Sequence, residues 1–399
     1  MEFGFTEEQE RLRKGFREFC LSELPEDYVP GACSSVGEKA QSFWLDLQRK
    51  AGERGYLTPG WPKEHGGMGM GAIEQGIVAE ETGYLDLLWP SSSGLRIGGP
   101  AVGVVGTDEQ KRKFLPPLAQ GKTMWVQAFT EPEAGSDEAN VQLRAVADGD
   151  DFILNGQKTF ISTIYRPHYL YTLARTADVV PKRRGISLFL IPGDAPGITY
   201  RPLPTMGSGI QNEIFFDDVR IPKENLLGQL NRGFYHAMEA FQFERSGTGR
   251  QANVRRLMDE FIQFCKEEKR NGKPLFADPE VRQAISRMVV RMEVYKLSSW
   301  RTQWWFGQRE KLGPQPYDLT GFFWKTSAEP HSKLMMDIMG LHGQLQQGSK
   351  WAKLAGLVES NWQAARSMHA AGTIEIIKNV AGQRGLGLPR PPRPEAKTQ

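Results

Sequence analysis

The apolar positions in the first third of the chain are spaced as in amphipathic helices. After Thr6, apolar or aromatic residues recur at Leu12, Phe16, Phe19 and Cys20, which is a 3.6-residue period. Threonine is a favoured N-cap, so this pattern predicts a helix that begins after Thr6. The segments "AIEQGIVAEETGYL" and "DEQKRKFLPPLAQG" have the same character. We therefore predict an N-terminal helical domain over residues 1–123.

From residue 124 the period of the hydrophobic pattern changes to two, as in half-buried strands. In "FILNGQKTFIS" the pair Asn155-Gly156 separates two apolar segments, and this pair is a strong signal for a hairpin turn. The segments "GISLFLIP" and "NEIFFDDVRIP" predict further strands, and "GDAPGIT" predicts a turn. Residues 124–228 are expected to form a central, antiparallel, β-barrel-like domain.

Helical patterns resume at residue 229. We predict one long helix over 233–270 and further helices over 280–310, 320–339 and 349–383, with a break in the last of them at Ala370-Ala371-Gly372. Four long helices in succession predict a bundle over residues 229–390. The Pro-rich, charged residues 391–399 predict a disordered tail. The fold class is α+β, with a central β-domain between two helical domains.

Composition and charge narrow the classes of function. The chain of 399 residues is 39% hydrophobic and 24% charged, with 50 Lys and Arg against 47 Asp and Glu. This balance does not indicate a nucleic-acid partner. No segment reaches the roughly 18 apolar residues that a membrane span needs. Acidic and basic residues mixed at helical spacing near Met1 disfavour a secretory signal, so a cytoplasmic protein is the simplest interpretation.

The cysteines and histidines do not form a metal-binding pattern. Three cysteines are scattered along the chain without a CxxC pair, and the six histidines never fall at the spacing of metal ligands. We predict neither a disulfide framework nor a metal site. The residues Gly67, Gly69 and Ala72 match the dinucleotide-binding fingerprint, but no buried strand precedes them, so this segment is interpreted as a glycine loop between helices.

The turn in "WVQAFTEPEAGSDEA" is the most informative polar segment. An apolar strand leads into Thr130, Pro132 fixes the chain, and Ser136 follows, so hydroxyls and backbone amides lie on one turn. No basic residue flanks Ser136, which argues against a serine nucleophile. The turn suits hydrogen bonding to a flat heteroaromatic ring or a phosphate. The alternative is a polar turn without a ligand.

Five segments in order resemble the acyl-CoA dehydrogenase family across nearly the whole chain. They are "FTEEQERLRKGFREF", "GWPKEHGGMG", "AFTEPEAGSD" with "DDFILNGQKTFIS", "FDDVRIPKENLLG" and "AGTIEIIKNVAGQRGLGLPR". The resemblance implies the same three-domain fold and FAD bound between the β-domain and the bundle. It also implies removal of a proton from Cα of an acyl-CoA thioester and of a hydride from Cβ.

The resemblance assigns cofactor contacts to residues of the central domain. Phe129 and Thr130 are expected at the flavin ring, and Ser136 at the cofactor or at the pantetheine arm of the substrate. The "TFIS" segment is expected to cover the ring, with Phe160 where the family often has Trp and Ser162 where it often has Thr.

The expected base lies on the first helix of the bundle. In one branch of the family a catalytic Glu directly precedes the Gly-Thr pair of the C-terminal break, but here that position is Ala371. A second branch carries the base as Glu-Arg in the position that Glu244-Arg245 fits. Glu244 is therefore the predicted base, with Arg245, Gly247, Ala371 and Gly372 beside the substrate. The alternative is that Glu244 and Arg245 form a solvated ion pair on a helix face.

Weaker resemblances place four more residues at FAD. Thr373 and Glu375 follow the break, and Gly340 lies in a segment that resembles the glycines near the adenine. The family's Arg-x-x-Phe-Gly segment, which meets the FAD pyrophosphate of a partner subunit, is not present. Arg270 is a candidate anion partner in that region, and the alternative is a solvated helix end.

The predicted function is FAD-dependent dehydrogenation of an acyl-CoA, with a bulky, branched or cyclic acyl group favoured. The expected acceptor is an electron-transferring flavoprotein, and the expected assembly is a homodimer, a homotetramer or a heterotetramer with a related subunit. Two alternatives remain open at this point: a non-catalytic partner subunit of a heteromeric dehydrogenase, and a flavin-dependent monooxygenase on the same fold.

Overall fold

The computed structural model describes residues 4–31, 38–163, 165–206, 211–244, 247–313, 319–365 and 370–389. Within these ranges, five α-helices precede the sheet: α1 (Glu7–Glu23), α2 (Glu38–Glu53), α3 (Ala72–Tyr84), α4 (Gly99–Val105) and α5 (Asp108–Ala119). The first begins where the sequence predicts, because Thr6 and Gln9 form a reciprocal capping box. Its predicted apolar stripe of Leu12, Phe16, Phe19 and Cys20 is buried.

The central part of the chain forms one mainly antiparallel sheet. Its strands are β1 (Trp125–Ala128), β2 (Arg144–Asp148), β3 (Asp151–Ser162), β4 (Tyr169–Arg175), β5 (Ile186–Pro192), β6 (Ile198–Leu203), β7 (Gln211–Pro222) and β8 (Leu226–Leu227). The strand order is β6-β7-β3-β2-β4-β5-β8, and β1 pairs in parallel with β4. The turn predicted in "GDAPGIT" connects β5 to β6.

The hairpin predicted at Asn155-Gly156 is wrong. Both residues lie inside β3, and the turn between β2 and β3 falls at Gly149 and Asp150. The pairing of β3 with β7 shifts register between Leu154 and Gly156, so the glycine marks a bulge instead of a turn. Asn155 exchanges two 2.9 Å hydrogen bonds with Asp218 on β7 across this bulge.

Helices return after the sheet. They are α6 (Gly233–Glu244), α7 (Thr248–Glu267), α8 (Pro279–Gly307), α9 (Arg309–Leu312), α10 (Leu319–Met339), α11 (Leu357–Ala364) and α12 (Ile374–Val380), with a small hairpin of β9 (Lys269–Arg270) and β10 (Lys273–Pro274) after α7. The single long helix predicted over 233–270 is therefore wrong, because α6 ends at Glu244 and α7 begins after Gly247. Gly247 has φ +70°, a left-handed conformation that ends a continuous helix.

Three hydrophobic cores hold these layers. The first joins the N-terminal helices and α6 to one face of the sheet, the second lies on the other face, and the third fills the space between α7, α8, α10 and α11. Among the residues described, no helix is long and apolar enough to cross a bilayer. Nor do the described side chains include a group of three or more metal-ligating residues.

Candidate active site

The turn after β1 and the end of β3 lie side by side. The amide of Thr159 donates a 2.9 Å hydrogen bond to the carbonyl of Thr130. Phe160 follows with φ +55°, a conformation that costs a non-glycine residue roughly 1–2 kcal/mol. Its ring is 58% exposed, and Ser162, two residues further along the strand, is exposed as well. We call Phe129, Thr130, Phe160 and Ser162 the cradle.

The cradle contacts the helix that carries the predicted base. The buried ring of Phe129 packs at 5.2 Å on Tyr171 and edge-on at 5.7 Å against Phe241 of α6. Phe241 is three residues before Glu244, at which α6 ends. The side chain of Glu244 and the whole of Arg245 lie outside the described part of the chain. The structure thus connects Phe129 to the end of α6 through one aromatic contact.

Gly247 is at the break between α6 and α7, and it packs against the start of α10. A Cβ added to Gly247 would lie 3.1 Å from Cβ of Thr320 and 3.4 Å from Oγ of Ser299. A side chain at this position would press on Thr320, and the left-handed backbone disfavours one as well. Gly247, which is predicted to lie beside the substrate, thus lies at a close approach to α10.

A buried polar junction fixes the first turns of α7. The carboxylate of Glu80 on α3 accepts hydrogen bonds from Arg13 at 2.8 Å, from Gln251 at 2.8 Å and from Trp300 at 3.1 Å. These partners belong to α1, α7 and α8. The junction joins the N-terminal helices to the bundle one turn after Gly247.

The C-terminal break also lies against α10. Lys325 is buried and its ammonium group donates a 2.6 Å hydrogen bond to the carbonyl of Ala370. Ala371 and Gly372 follow with φ +54° and +81°, and a Cβ on Gly372 would meet no atom within 4 Å. The predicted break is confirmed as a left-handed turn with open space beside it. Thr320 and Lys325 are separated by roughly 8 Å along α10, so both breaks lie against the same stretch of that helix.

Thr373 caps α12, since its hydroxyl oxygen accepts a 3.2 Å hydrogen bond from the amide of Ile376. Glu375 lies exposed in the first turn of that helix. Ser136 lies exposed in the turn after β1. Its neighbourhood is tied to the loop between β4 and β5, because Arg175 donates to the carbonyls of Ala139 at 2.8 Å and Lys182 at 3.1 Å.

Two predicted residues lie far from this site within one chain. Arg270 follows the far end of α7 and donates a 2.6 Å hydrogen bond to the carbonyl of Ile338 near the end of α10. Gly340 lies just beyond that carbonyl with φ +63°. Because α7 has 20 residues, Arg270 is roughly 30 Å from Gly247. The structure brings Arg270 and Gly340 close to one another, but not to the cradle of the same chain.

A buried ion pair that was not predicted from the sequence lies directly behind the cradle. Lys158 on β3 is 0% exposed and Glu131 is 4% exposed, and the two form a 2.6 Å salt bridge. Burial lowers the pKa of the Lys158 ammonium to about 8, while the adjacent Glu131 carboxylate opposes that shift. A signal was present, because Lys158 lies at even spacing from the inward positions Phe152 and Leu154 of an apolar strand.

The order of a helical domain, a sheet domain and a second helical domain is also found in a known enzyme family. The chain matches the N-terminal domain of acyl-CoA dehydrogenase over residues 6–122, the middle domain over 127–219 and the C-terminal domain over 231–386. It belongs to the acyl-CoA dehydrogenase family, whose members are oxidoreductases that act on acyl-CoA.

Individual relatives agree along the full length. The chain is 31% identical to acyl-CoA dehydrogenase FadE26 of Mycobacterium tuberculosis over 98% of this chain and 99% of that protein. It is similar to a chain of the ChsE4-ChsE5 complex from Mycobacterium tuberculosis with a TM-score of 0.87 at 31% identity, covering 98% of this chain and 100% of that one. It is also similar to the steroid ACAD Tcur3481-Tcur3483, with a TM-score of 0.88 at 27% identity and coverage of 98% and 100%.

Proposed function

We propose that this protein is an FAD-dependent acyl-CoA dehydrogenase in which Glu244 removes the α-proton. The observation that carries the proposal is the position of the two breaks. Gly247 follows the end of α6 and lies close to Thr320 of α10. The carbonyl of Ala370, at the other break, accepts a hydrogen bond from Lys325 of the same helix. Both breaks therefore lie against the same stretch of α10, and this supports a base at the end of α6 that acts near Ala371, a position without a carboxylate.

The cradle fits a flat heteroaromatic ring. An exposed aromatic ring in strained backbone, as at Phe160, is often retained at a ligand site. Hydroxyls of Thr130 and Ser162 on adjacent segments offer hydrogen bonds to the polar edge of such a ring. Phe129, Thr130, Phe160 and Ser162 would hold the isoalloxazine of FAD. When bound, FAD supplies the acceptor for the hydride that leaves Cβ of the substrate.

The protein's own residues would carry the proton chemistry. The carboxylate of Glu244 accepts the proton from Cα, and the electron pair of that C–H bond forms the new Cα=Cβ double bond. A thioester α-proton is weakly acidic, so hydrogen bonds to the thioester carbonyl must stabilise the developing negative charge. Amides at the turn of Ala371 and Gly372 are available for that purpose. Thr373 and Glu375 would face the cofactor from the start of α12.

The loop between β4 and β5 suits the phosphates of coenzyme A. Lys182, Arg183 and Arg184 lie in succession there, and the Lys182 ammonium donates a 2.7 Å hydrogen bond to the side chain of Asn140. The loop is thereby bound to the turn of Ser136, the residue proposed for the pantetheine arm. Clustered cations attract the anionic end of CoA.

A bulky acyl group is the proposed substrate class. The chain has only small residues at the break, Ala371 and Gly372, where Gly372 borders open space. The Tcur3481-Tcur3483 relative is described as a steroid ACAD. Arg245, next to Glu244, is proposed to contact the substrate as well.

The decisive experiment is anaerobic mixing of purified holoenzyme with a panel of straight, branched and cyclic acyl-CoAs while flavin absorbance is recorded. Glu244→Gln is expected to slow bleaching by roughly 10²–10⁴-fold, because the positioned base is lost. Glu239→Gln is the matched control on the same helix, since Glu239 pairs with Arg309 at 3.6 Å and is expected to leave bleaching unchanged. Bleaching of Glu244→Gln at the wild-type rate would refute the assignment of the base.

A second candidate is a partner subunit of a heteromeric dehydrogenase. It is favoured by the absence of the Arg-x-x-Phe-Gly segment from the sequence. The engagement of Arg270 with the Ile338 carbonyl also occupies part of the one guanidinium that we predict in its place. The similar ChsE4-ChsE5 assembly contains two different chains. We propose that Arg270 and Gly340 meet the FAD of a partner subunit, whether a second copy or a related chain. Purification of this chain alone as a colourless protein that gains flavin only with a co-expressed related chain would favour this candidate.

An electron-transferring flavoprotein is the proposed acceptor and the cytoplasm the proposed location. Reduced holoenzyme should be reoxidised rapidly by such a flavoprotein and slowly by oxygen. Fractionation of the native cells should recover the protein with the soluble enzymes.

A further inference from the structure

Lys158 uses all three of its ammonium donors behind the cradle. The group donates to the carboxylate of Glu131 at 2.6 Å and to the main-chain carbonyls of Phe129 at 3.1 Å and Leu173 at 2.7 Å. These acceptors lie on the turn after β1 and on β4, while Lys158 itself lies on β3. One fully buried side chain therefore joins three backbone segments.

Glu131 is held equally firmly from the other side. Its carboxylate accepts hydrogen bonds from the amides of Gln142 at 2.5 Å and Leu143 at 3.1 Å. Its main chain exchanges two hydrogen bonds with Ala134, at 2.9 and 3.1 Å, which close the turn. Thr130 lies between two residues that Lys158 contacts, Phe129 and Glu131. The main chain of Thr130 is therefore held on both sides by groups that contact the ammonium group.

The residues after Lys158 form the other half of the cradle. The next residue, Thr159, donates to the carbonyl of Thr130, and Phe160 then takes its left-handed conformation. The pairing of β3 with β7 shifts register between Lys158 and Ile161, so the strand departs from regular pairing at Phe160. Such a bulge re-aims a side chain, and it must be fixed by its surroundings to persist.

An ion pair that is buried between two strands stabilises the fold little, because its desolvation is unfavourable. Desolvation of two charges costs several kcal/mol, and apolar residues of the same volume often stabilise a fold at least as well. Three directed hydrogen bonds give something that apolar packing lacks, which is a fixed geometry for the carbonyls and the carboxylate. The interactions therefore act on the shape of the turn more than on the stability of the sheet.

We propose that Lys158 and Glu131 are positioning residues for the flavin, which fix Thr130 and Phe160 in one arrangement before the cofactor binds. This inference rests on the proposed function, since it assumes that the cradle holds FAD. The pair does not reach the ligand itself, because both side chains are buried beneath the turn.

The test compares FAD binding by apoprotein of wild type and of the double variant Lys158→Met with Glu131→Gln. The double variant removes both charges, so neither is left buried alone. We expect FAD to bind at least tenfold more weakly, and the visible circular dichroism of the bound flavin to change, while the apoprotein keeps its far-ultraviolet spectrum. A purely structural pair would lower the melting temperature and leave the dissociation constant and dichroism of the folded protein as in wild type, and that result would overturn the inference.

Two further variants keep the test decisive. Lys223→Met removes an exposed lysine of the same domain, whose 3.4 Å contact is with Asp150, and should leave FAD binding unchanged. Glu131→Gln alone covers the case in which the double variant does not fold. The single side-chain oxygen of glutamine at position 131 cannot accept hydrogen bonds from Gln142, Leu143 and Lys158 at once. We therefore expect FAD to bind at least threefold more weakly. Unchanged binding would overturn the inference. Failure of wild-type apoprotein to bind FAD would instead contradict the proposed function.

Discussion

Gly83 on α3 faces the main-chain carbonyl of Gly249 on α7. A Cβ added to Gly83 would lie 1.8 Å from that oxygen. This distance is far too short for two non-bonded atoms, so the backbone would have to move. A Cβ added to Gly249 would in turn lie 2.8 Å from the carbonyl of Ala79. The two helices thus meet backbone to backbone, two residues after Gly247.

Replacing Gly83 with alanine should separate α3 from α7. Overpacking of this kind costs about 1–3 kcal/mol, and we expect the free energy of unfolding to fall by at least about 2 kcal/mol in urea titrations. The start of α7 should shift with it, so the rate of flavin reduction by acyl-CoA should fall as well.

Gly103→Ala is the matched control for this variant. Gly103 lies in α4, and a Cβ there would meet no atom within 4 Å. Alanine should therefore stabilise the protein by about 0.5–1 kcal/mol, through the lower entropy of the unfolded chain. A Gly83→Ala variant as stable as wild type would contradict the close approach of the two helices.

The left-handed residue in the cradle predicts opposite effects on stability and on binding. Phe160→Gly removes the penalty of φ +55°, and the greater entropy of glycine in the unfolded chain offsets part of that gain, so the apoprotein should become more stable by less than about 1 kcal/mol. Loss of the exposed ring should weaken FAD binding, measured by fluorescence titration, by at least tenfold. Asn271→Gly, at φ +54° in the β9–β10 hairpin, should leave FAD binding unchanged. If Phe160→Gly bound FAD as tightly as wild type, the ring would have no part in the site.

Lys325 should control the position of the C-terminal break. Lys325→Met removes the hydrogen bond to the Ala370 carbonyl and leaves that oxygen without this donor. We expect kcat/KM for acyl-CoA to fall at least tenfold, because small displacements of positioning groups are costly to rate. Lys333→Met, on the exposed side of the same helix and paired with Asp337 at 2.7 Å, should keep wild-type kinetics. Equal kinetics of the two variants would show that the contact has no catalytic consequence.

His331 predicts how stability depends on pH. It is 5% exposed, and burial together with the charge of Arg291 lowers its pKa from 6.5 to about 4. Between these two values the unfolded chain binds a proton that the folded chain does not, so stability falls as pH drops from 6.5 towards 4. The contribution amounts to roughly 3 kcal/mol.

His331→Leu should therefore lose less stability than wild type over this range, as measured by urea unfolding at pH 4.5, 5.5, 6.5 and 8. The value at pH 8, where the imidazole is neutral in both states, gives the effect of the substitution on packing alone. Parallel curves for the two proteins would show that His331 does not titrate in this way.

Local signals in the sequence were sufficient for the elements with caps and regular periods. The N-cap Thr6 and the apolar stripe after it predicted the start and the buried face of α1, and both are confirmed. Asn155-Gly156 misled because the same pair that favours a turn also fits a bulge, and only the pairing with β7 decides between them. The break at Gly247 was missed because a helix tolerates a glycine, and the left-handed conformation comes from packing against α10.

The sequence led to residues that are expected to face a ligand, but it did not lead to the residues that support them. Motif resemblance led to Thr130, Phe160 and Glu244, which are expected to act on a ligand. Lys158 and Glu131 are 27 residues apart in sequence, and a local pattern does not reveal which distant acid lies beside a buried amine. Similarly, the contact between Lys325 and Ala370 depends on how α10 packs, which the amphipathic pattern of that helix leaves open.

The hydrogen bonds of Lys158 have a consequence for biosynthesis. The segments that they join are the turn after β1, β3 and β4, and all of them leave the ribosome before α6 is made. We expect the flavin-facing surface to take shape on the nascent chain, and the carboxylate of Glu244 and the turn at Ala371 to be added to it later. FAD present during translation could then bind to the partly formed flavin-facing surface before the chain contains the base that removes a proton from an acyl-CoA.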